Sequence, residues 1–273
     1  MGKAVRFAGL FLLLGILSVT AGLAATGLRV RNQDGSGLRI AILYDNVPFT
    51  TGCRTDWGFA ALIQGTGQNI LFDTGGDGAV LLANMGGMGI DPDEVDVVFL
   101  SHIHGDHTRG LRSLLQRKPD VSVFLPVGFP RDFRDSVRRA GARVVPVATA
   151  TKLFDRVYSS GPIGHAPEEQ ALIIDTTEGL VVLTGCAHPG VVEIVRAAMN
   201  QHRKPVRLLV GGLHLFRQSE RRILKTIGEL KALGVVHVAP SHCTGERALA
   251  LFRRAWGGAF IESGCGAVIE LAP

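Results

Sequence analysis

The sequence predicts an α/β protein, a four-layered αββα sandwich in which two sheets pack face to face between outer helices. Three observations predict it. Short apolar, β-branched runs bounded by glycine and polar turns recur along the chain, as strands do. In each half these runs first follow one another closely, as hairpins, and then alternate with helix-periodic stretches. The chain has 273 residues, 46% hydrophobic and 19% charged, which is enough for one substantial core and too few for two large domains.

The elements follow in order. Strands are expected at 38–44, 59–64, 69–72, 95–100 and 121–125, with helices at 77–85, 110–116 and 131–140. The second half opens with a hairpin, 171–175 and 180–184, turning through Thr176-Thr177-Glu178-Gly179. A helix at 190–201, a strand at 206–210, a helix at 218–233, a strand at 235–239 and a helix at 246–256 continue the alternation. The run 266–271 is suited to close a sheet. The folded domain is therefore expected over 38–273, after a polar, glycine-containing linker at 26–37.

Residues 1–25 differ in kind. Lys3 and Arg6 precede an almost unbroken apolar run that ends in Ala21-Gly22-Leu23-Ala24-Ala25. This pattern reads either as a cleaved secretory signal or as a membrane anchor, since about 20 apolar residues span a bilayer. Either way the basic flank is expected to stay cytoplasmic and the rest of the chain to be exported, to the periplasm or to the outer face of the cytoplasmic membrane. Four cysteines form no CxxC pair and leave room for one disulfide. The formal charge of +5 is modest. Arginines around 131–143 and 217–225 lie in helix-like stretches with no aromatic interleaving, so they read as solvated faces and not as a nucleic-acid surface. An anionic small-molecule substrate stays open.

The chemistry is concentrated in Ser101-His102-Ile103-His104-Gly105-Asp106-His107, directly after the strand at 95–100. In an extended exit His102 and His104 point the same way, because strand side chains alternate with period two. Gly105 permits a sharp turn, and Asp106 and His107 then open the next helix. Two imidazoles, a carboxylate and a third imidazole in this arrangement suit two adjacent divalent metal ions, Zn²⁺ first, with Fe or Mn as alternatives.

His102-Ile103-His104-Gly105-Asp106-His107 resembles the HxHxDH motif of the metallo-β-lactamase superfamily. The resemblance runs from about Leu38 to the C-terminus and is greatest to the dihydropterin ribofuranosylaminobenzene-phosphate synthase-like subgroup. It is supported by Phe72-Asp73-Thr74-Gly75, by Leu183-Thr184-Gly185-Cys186-Ala187-His188-Pro189-Gly190, by Gly211-Gly212-Leu213-His214-Leu215 and by Ser241-His242-Cys243-Thr244-Gly245. It implies the αββα fold and a dinuclear site, with His102 and His104 on the first metal and Asp106 and His107 on the second.

The resemblance also implies roles beyond the motif. Asp73 either caps its glycine turn or braces the metal-binding loop. His188, at a strand–helix junction, is expected as the third ligand of the first metal, with His165 as its rival. His242 matches the family's last histidine, on the second metal. Cys186 stands where many members place a bridging Asp, and is either a thiolate ligand or a small buried residue. His214 is expected to line the pocket and either bind substrate or donate a proton, and His202 and His237 to be ordinary surface or core residues. Two departures bear on substrate: Trp57-Gly58-Phe59-Ala60 replaces a polar stretch of the subgroup, and Arg109 replaces a glycine. The implied activity is hydrolysis of an ester, thioester, lactone or phosphate by a bridging hydroxide, with Asp106 orienting it. The alternatives are the subgroup's synthase-like transfer and redox chemistry on a di-iron centre.

Overall fold

The computed structural model describes residues 37–271; the leader at 1–25 and all of the linker except Gly37 lie outside them. Among the described residues no helix is long and apolar enough to cross a membrane.

Strands β1 (Leu38–Asp45), β2 (Phe59–Gln64) and β3 (Ile70–Phe72) pair antiparallel in that order. Helix α1 (Gly78–Gly87) carries the chain to β4 (Val97–Phe99). Helices α2 (Gly105–Thr108) and α3 (Leu111–Arg117) lead on to β5 (Ser122–Pro126), and α4 (Arg131–Arg139) to β6 (Arg143–Val147). These crossovers make β3 to β6 parallel. The second half repeats the plan. Strands β7 (Thr151–Phe154), β8 (Val157–Ser159), β9 (Leu172–Thr176) and β10 (Gly179–Thr184) form an antiparallel meander. Helices α5 (Val191–His202) and α6 (Glu220–Ala232) then link β10 in parallel to β11 (Val206–Gly212) and β12 (His237–Ser241). After α7 (Glu246–Trp256), β13 (Val268–Leu271) returns to pair with β1, so the first sheet has seven strands and the second six.

Strand alternation explains the four layers. Ile40, Ile42, Phe72 and Phe99 face inward and meet Leu172, Ile174, Leu183 and Val210 of the second sheet. Their neighbours Ala41, Leu43, Leu71 and Val98 face outward onto Leu81, Met85, Leu111, Leu114 and Val137 of α1, α3 and α4. On the far side Ile173, Val182 and Leu209 pack against Ile194, Ile223, Leu230, Phe252 and Trp256 of α5, α6 and α7. Because both faces of the central strands are covered, those strands are almost continuously apolar. Two helices start where a side chain takes up orphaned N–H groups. Asp77 accepts from Ala79 and Val80 at the head of α1, and Ser219 from Arg222 at the head of α6.

The expected elements are present, and the structure adds three strands that periodicity did not reveal, β6, β7 and β8. All lie at or beside sheet edges, where one face or one flank is solvated and the apolar pattern weakens. β6 carries Pro146, which an edge strand tolerates because one row of N–H groups needs no partner. The strand expected at 95–100 is shorter because Val95 closes a 3₁₀ turn over Pro92–Glu94. The strand expected at 235–239 starts later because the Val235 N–H bonds back to Leu230 at the end of α6.

Phe72 lies at the centre of the inter-sheet core, stacked on Phe99 with ring centroids 5.5 Å apart and edge-on to Phe59 at 6.0 Å. Phe72→Ala should lower unfolding stability by about 3–5 kcal/mol, read as a fall in the urea midpoint at unchanged slope.

Candidate metal centre

The site lies at the ends of strands from both sheets. β4 ends at Phe99, and the chain then passes through Leu100 and Ser101 to His102, with His104 immediately before α2 and Asp106 and His107 inside it. From the second sheet come Cys186 and His188 after β10, His214 after β11 and His242 after β12. Gly185 allows the two halves to approach, since a Cβ at that position would fall 2.2 Å from Ser101 Oγ.

Hydrogen bonds fix how each imidazole is presented. Asp73 is fully buried at the end of β3; its Oδ1 accepts from Ser101 N at 2.7 Å and its Oδ2 from Ser101 Oγ at 2.7 Å. His107 Nδ1 lies 2.8 Å from the same Oδ2, so it carries the proton and leaves Nε2 as a lone pair. Ser101 Oγ, already donating to Asp73, accepts from His102 Nδ1 at 2.9 Å, and His102 Nε2 is then also a lone pair. His242 Nδ1 lies 2.8 Å from Asn46 Oδ1, which turns its Nε2 towards the same centre. The tautomers follow from the partner each Nδ1 meets.

These free nitrogens converge. His107 Nε2 and His242 Nε2 are each 3.6 Å from Asp106 Oδ2. They are 3.2 and 3.4 Å from Cys186 Sγ. Asp106, His107, Cys186 and His242 thus form one set of donor atoms lying within 4.8 Å of one another, and His102, Cys186 and His188 form a second. His104 stands beside the second set, its ring 4.8 Å from His102 and 4.7 Å from His188. Cys186 belongs to both sets.

Electrostatics favour neutral imidazoles here. Burial, reinforced by neighbouring histidines, holds His102 and His242 well below the usual histidine range and pushes His188 down to about 3. Burial also lowers His104. His107 is the exception. Burial pulls it down, but the Asp73 carboxylate and its hydrogen bond outweigh this and raise it. Contact with Cys243, then burial, pushes the Cys186 thiol up.

Whether a metal fits these residues can be judged from the atoms left over. His102 Nε2, His188 Nε2 and His214 Nδ1 are buried and meet no hydrogen-bond partner. Buried polar atoms in native proteins are almost always satisfied. Neutral imidazole lone pairs converging with a carboxylate and a sulfur are the donor set of a transition-metal centre, so the residues fit.

The motif histidines, Asp106, Asp73, His188, His242, Cys186 and His214 are therefore brought together. His165 is not: it is exposed and lines a separate cavity beside Phe129 and Glu168. His202 is packed on Tyr158, away from the centre. Sequence reasoning missed three supports. Glu169 is fully buried, and its carboxylate accepts from the backbone N–H groups of Gly185, Cys186, Ala187 and His188 at 2.8–3.1 Å. Asn46 turns His242. Asp45 Oδ1 accepts from His242 N at 3.2 Å, and burial raises the Asp45 carboxyl to about 7. The only sequence signal for Glu169 is a charged residue just before an apolar strand. The mouth of the site is walled by Trp57 and Phe216, packed edge to face at 5.6 Å, and all four cysteines are free thiols.

Residues 58–242 match the family model of the metallo-beta-lactamase superfamily. The chain is 26% identical to the 7,8-dihydropterin-6-methyl-4-(beta-D-ribofuranosyl)-aminobenzene-5'-phosphate synthase of Methanocaldococcus jannaschii, over 76% of this chain and 86% of that protein. Tm1679, a metal-dependent hydrolase of the beta-lactamase superfamily, overlays with a TM-score of 0.74 and 27% identity, over 86% of this chain and 100% of its own. A diphosphatase from the PhnP family shares the fold, with a TM-score of 0.59 and 17% identity over 87% of this chain and 99% of its own. Because the family match runs through strands of both sheets and both histidine-bearing ends of the site, the chain belongs to the metallo-beta-lactamase superfamily.

Proposed function

We propose that this protein is a metal-dependent hydrolase that uses two divalent metal ions, zinc by preference, on an ester, thioester, lactone or phosphate. The observation that carries the proposal is the presentation of His102, His107 and His242. Each has its Nδ1 tied to an oxygen; all three group with Cys186, and His107 and His242 also face Asp106 with their free Nε2 atoms. In this reading His102, His104 and His188 would hold one ion and Asp106, His107 and His242 the other, and Cys186 belongs to both donor groups. Bound there, such ions would supply a nucleophile at neutral pH, by lowering the pKa of water towards about 7, and Lewis acidity for the charge that develops.

The chain's own residues do the rest. Asp73 and Ser101 hold His107 and His102 in the tautomers that ligate, and Glu169 holds the loop that carries Cys186 and His188. Asp106 is the half-buried carboxylate open to the pocket, placed to orient the attacking water and take its proton. His214 lines the same pocket with an unpartnered Nδ1, and contact with Cys243 raises its pKa, which suits it to give a proton to the leaving group. Trp57 and Phe216 narrow the mouth and limit water. A second reading, synthase-like transfer, is favoured by the Methanocaldococcus jannaschii relative. Against it, Trp57-Gly58-Phe59-Ala60 lacks the polar pair of that subgroup, with Trp57 lining the pocket and Phe59 and Ala60 buried in β2. The basic and apolar leader supports a catalytic domain exported across the cytoplasmic membrane, where a phosphorylated cytoplasmic pterin would not reach it.

Elemental analysis of the purified chain should find about two divalent ions per molecule, and chelation should remove activity that zinc restores. Two iron per chain, with turnover only of redox substrates, would sink the hydrolase. His104 is exposed, so His104→Ala should leave circular dichroism and melting nearly unchanged. It should cut kcat/KM by more than the roughly 10–100-fold typical of groups behind a ligand. Asp73→Asn should weaken metal affinity about 10–100-fold, measured by competition with a chromogenic chelator, and equal affinity would refute its bracing role.

A further inference from the structure

The pocket above the metal ligands, about 460 Å³, is bounded on one side by Gly105 and Arg109. The same two residues bound a second cavity of about 550 Å³ that runs between α3 and α4. Its walls are apolar, from Leu111, Leu115, Phe133 and Val137, and its size is that of a small-molecule site. Three arginines, Arg109, Arg112 and Arg139, line it as well, and all are exposed.

None of the three makes a side-chain hydrogen bond or ion pair among the described residues. Arg131 and Arg138 of α4, by contrast, both pair with Asp135. Arg109 and Gly110 are both right-handed helical, so Arg109 and Arg112 sit three residues apart on one continuous face, where like charges repel. Arg109 also lies flat on the metal-binding turn. A Cβ at Gly105 would fall 2.6 Å from Arg109 Nε and 2.7 Å from its Cζ, so the guanidinium rests against the Gly105 backbone, beside both cavities. Three guanidinium groups without a protein partner among the described residues line an apolar cavity that shares Gly105 and Arg109 with the metal-ligand pocket, and together they suit an amphiphile with a multiply charged anionic head. Guanidinium forks match phosphate oxygens.

We propose that the α3–α4 cavity holds the apolar alcohol portion of a phosphate monoester, with the phosphate placed between the metal ligands and Arg109. This rests on the hydrolase reading above and narrows it to phosphate esters of apolar alcohols or phenols. The oxygen of water bonds to phosphorus as the bond from phosphorus to the alcohol oxygen breaks. One proton of the water passes to that oxygen, giving the free alcohol and hydrogen phosphate, with no other reactant.

The test uses the metal-loaded full chain and probes that cannot be hydrolysed. By titration calorimetry octylphosphonate should bind at least 10-fold more tightly than methylphosphonate and than octanoate. Arg109→Ala should weaken octylphosphonate at least 10-fold, and an Arg112→Ala, Arg139→Ala double variant should weaken it in the same direction. Ala140→Trp, a surface change that fills the cavity, should erase the preference for the octyl chain and leave methylphosphonate affinity unchanged. Equal affinity for octyl- and methylphosphonate, equal affinity for octanoate, or indifference to Arg109→Ala would each overturn the assignment. Phosphate release from octyl phosphate, measured separately, tells the two proposals apart. The affinity pattern with no release from octyl phosphate and no hydrolysis of carboxyl ester, thioester or lactone probes would fail the hydrolase and support the cavity. Release without chain-length or Arg109 dependence would do the reverse.

Discussion

The structure turns on one buried carboxylate. Asp73 closes β3, its own N–H bonds to Phe99 O of β4 at 2.8 Å, and its oxygens collect Ser101 N, Ser101 Oγ and His107 Nδ1. An ionised carboxylate removed from water is strongly unfavourable unless each oxygen is hydrogen-bonded. Burial accordingly raises its pKa, and His107 and Ser101 act in opposition. Its position therefore fixes three things together: the parallel pairing of β3 with β4, the exit angle of the chain after β4, and the tautomers of two candidate ligands. Gly185 of the second sheet packs so closely on Ser101 and Asp73 that no side chain would fit, so the interface between the halves is set at the same point.

Glu169 plays the corresponding part in the second half. Four consecutive N–H groups, from Gly185 to His188, turn towards its two oxygens, a concave backbone arrangement that suits an anion. The loop has no sheet partner of its own, and without that carboxylate its amides would be buried and unpaired. Each half of the sandwich thus supplies one buried carboxylate, and each carboxylate holds a loop that carries candidate ligands to the shared centre. The chain order mirrors this: hairpin, crossover helices, and ligand turns at the strand ends where crevices open in α/β sheets.

This division explains what could be read from the sequence. The contiguous motif from His102 to His107 was legible because its spacing alone specifies how the side chains point once a strand ends. The central strands were legible because burial on both faces makes them uniformly apolar. His188 and His242 were legible only through their resemblance to family motifs; the structure places His188, and not the exposed His165, against His102 and His104. Glu169, Asn46 and Asp45 were not legible, because each acts on residues between 16 and 197 positions away and nothing local marks them. Arg109 was noticed as a departure from the family, but that it bounds two cavities is a fact of tertiary packing. Strands β6 to β8, at or beside sheet edges, were not legible for a related reason, since a strand near a solvated flank loses the pattern that announces it.

Backbone conformation shows where the fold yields to the site. Among the described residues six non-glycine residues have positive φ, and four of them, Asp73, Ala187, His214 and His242, lie in the site or its immediate supports. Such conformations are disfavoured by roughly 1–3 kcal/mol each where the side chain offers no local compensation. Asp and His tolerate them better than most. Ala187 has no such excuse: it sits at φ 59° between Cys186 and His188, with its N–H on Glu169. Three buried ring nitrogens without partners add to the same local disadvantage. A stable core elsewhere can carry this, because the three apolar clusters are continuous and fully covered. Strain and unpartnered ring nitrogens are gathered at one point, so any ion that binds only the folded arrangement would stabilise the fold as it fills the site.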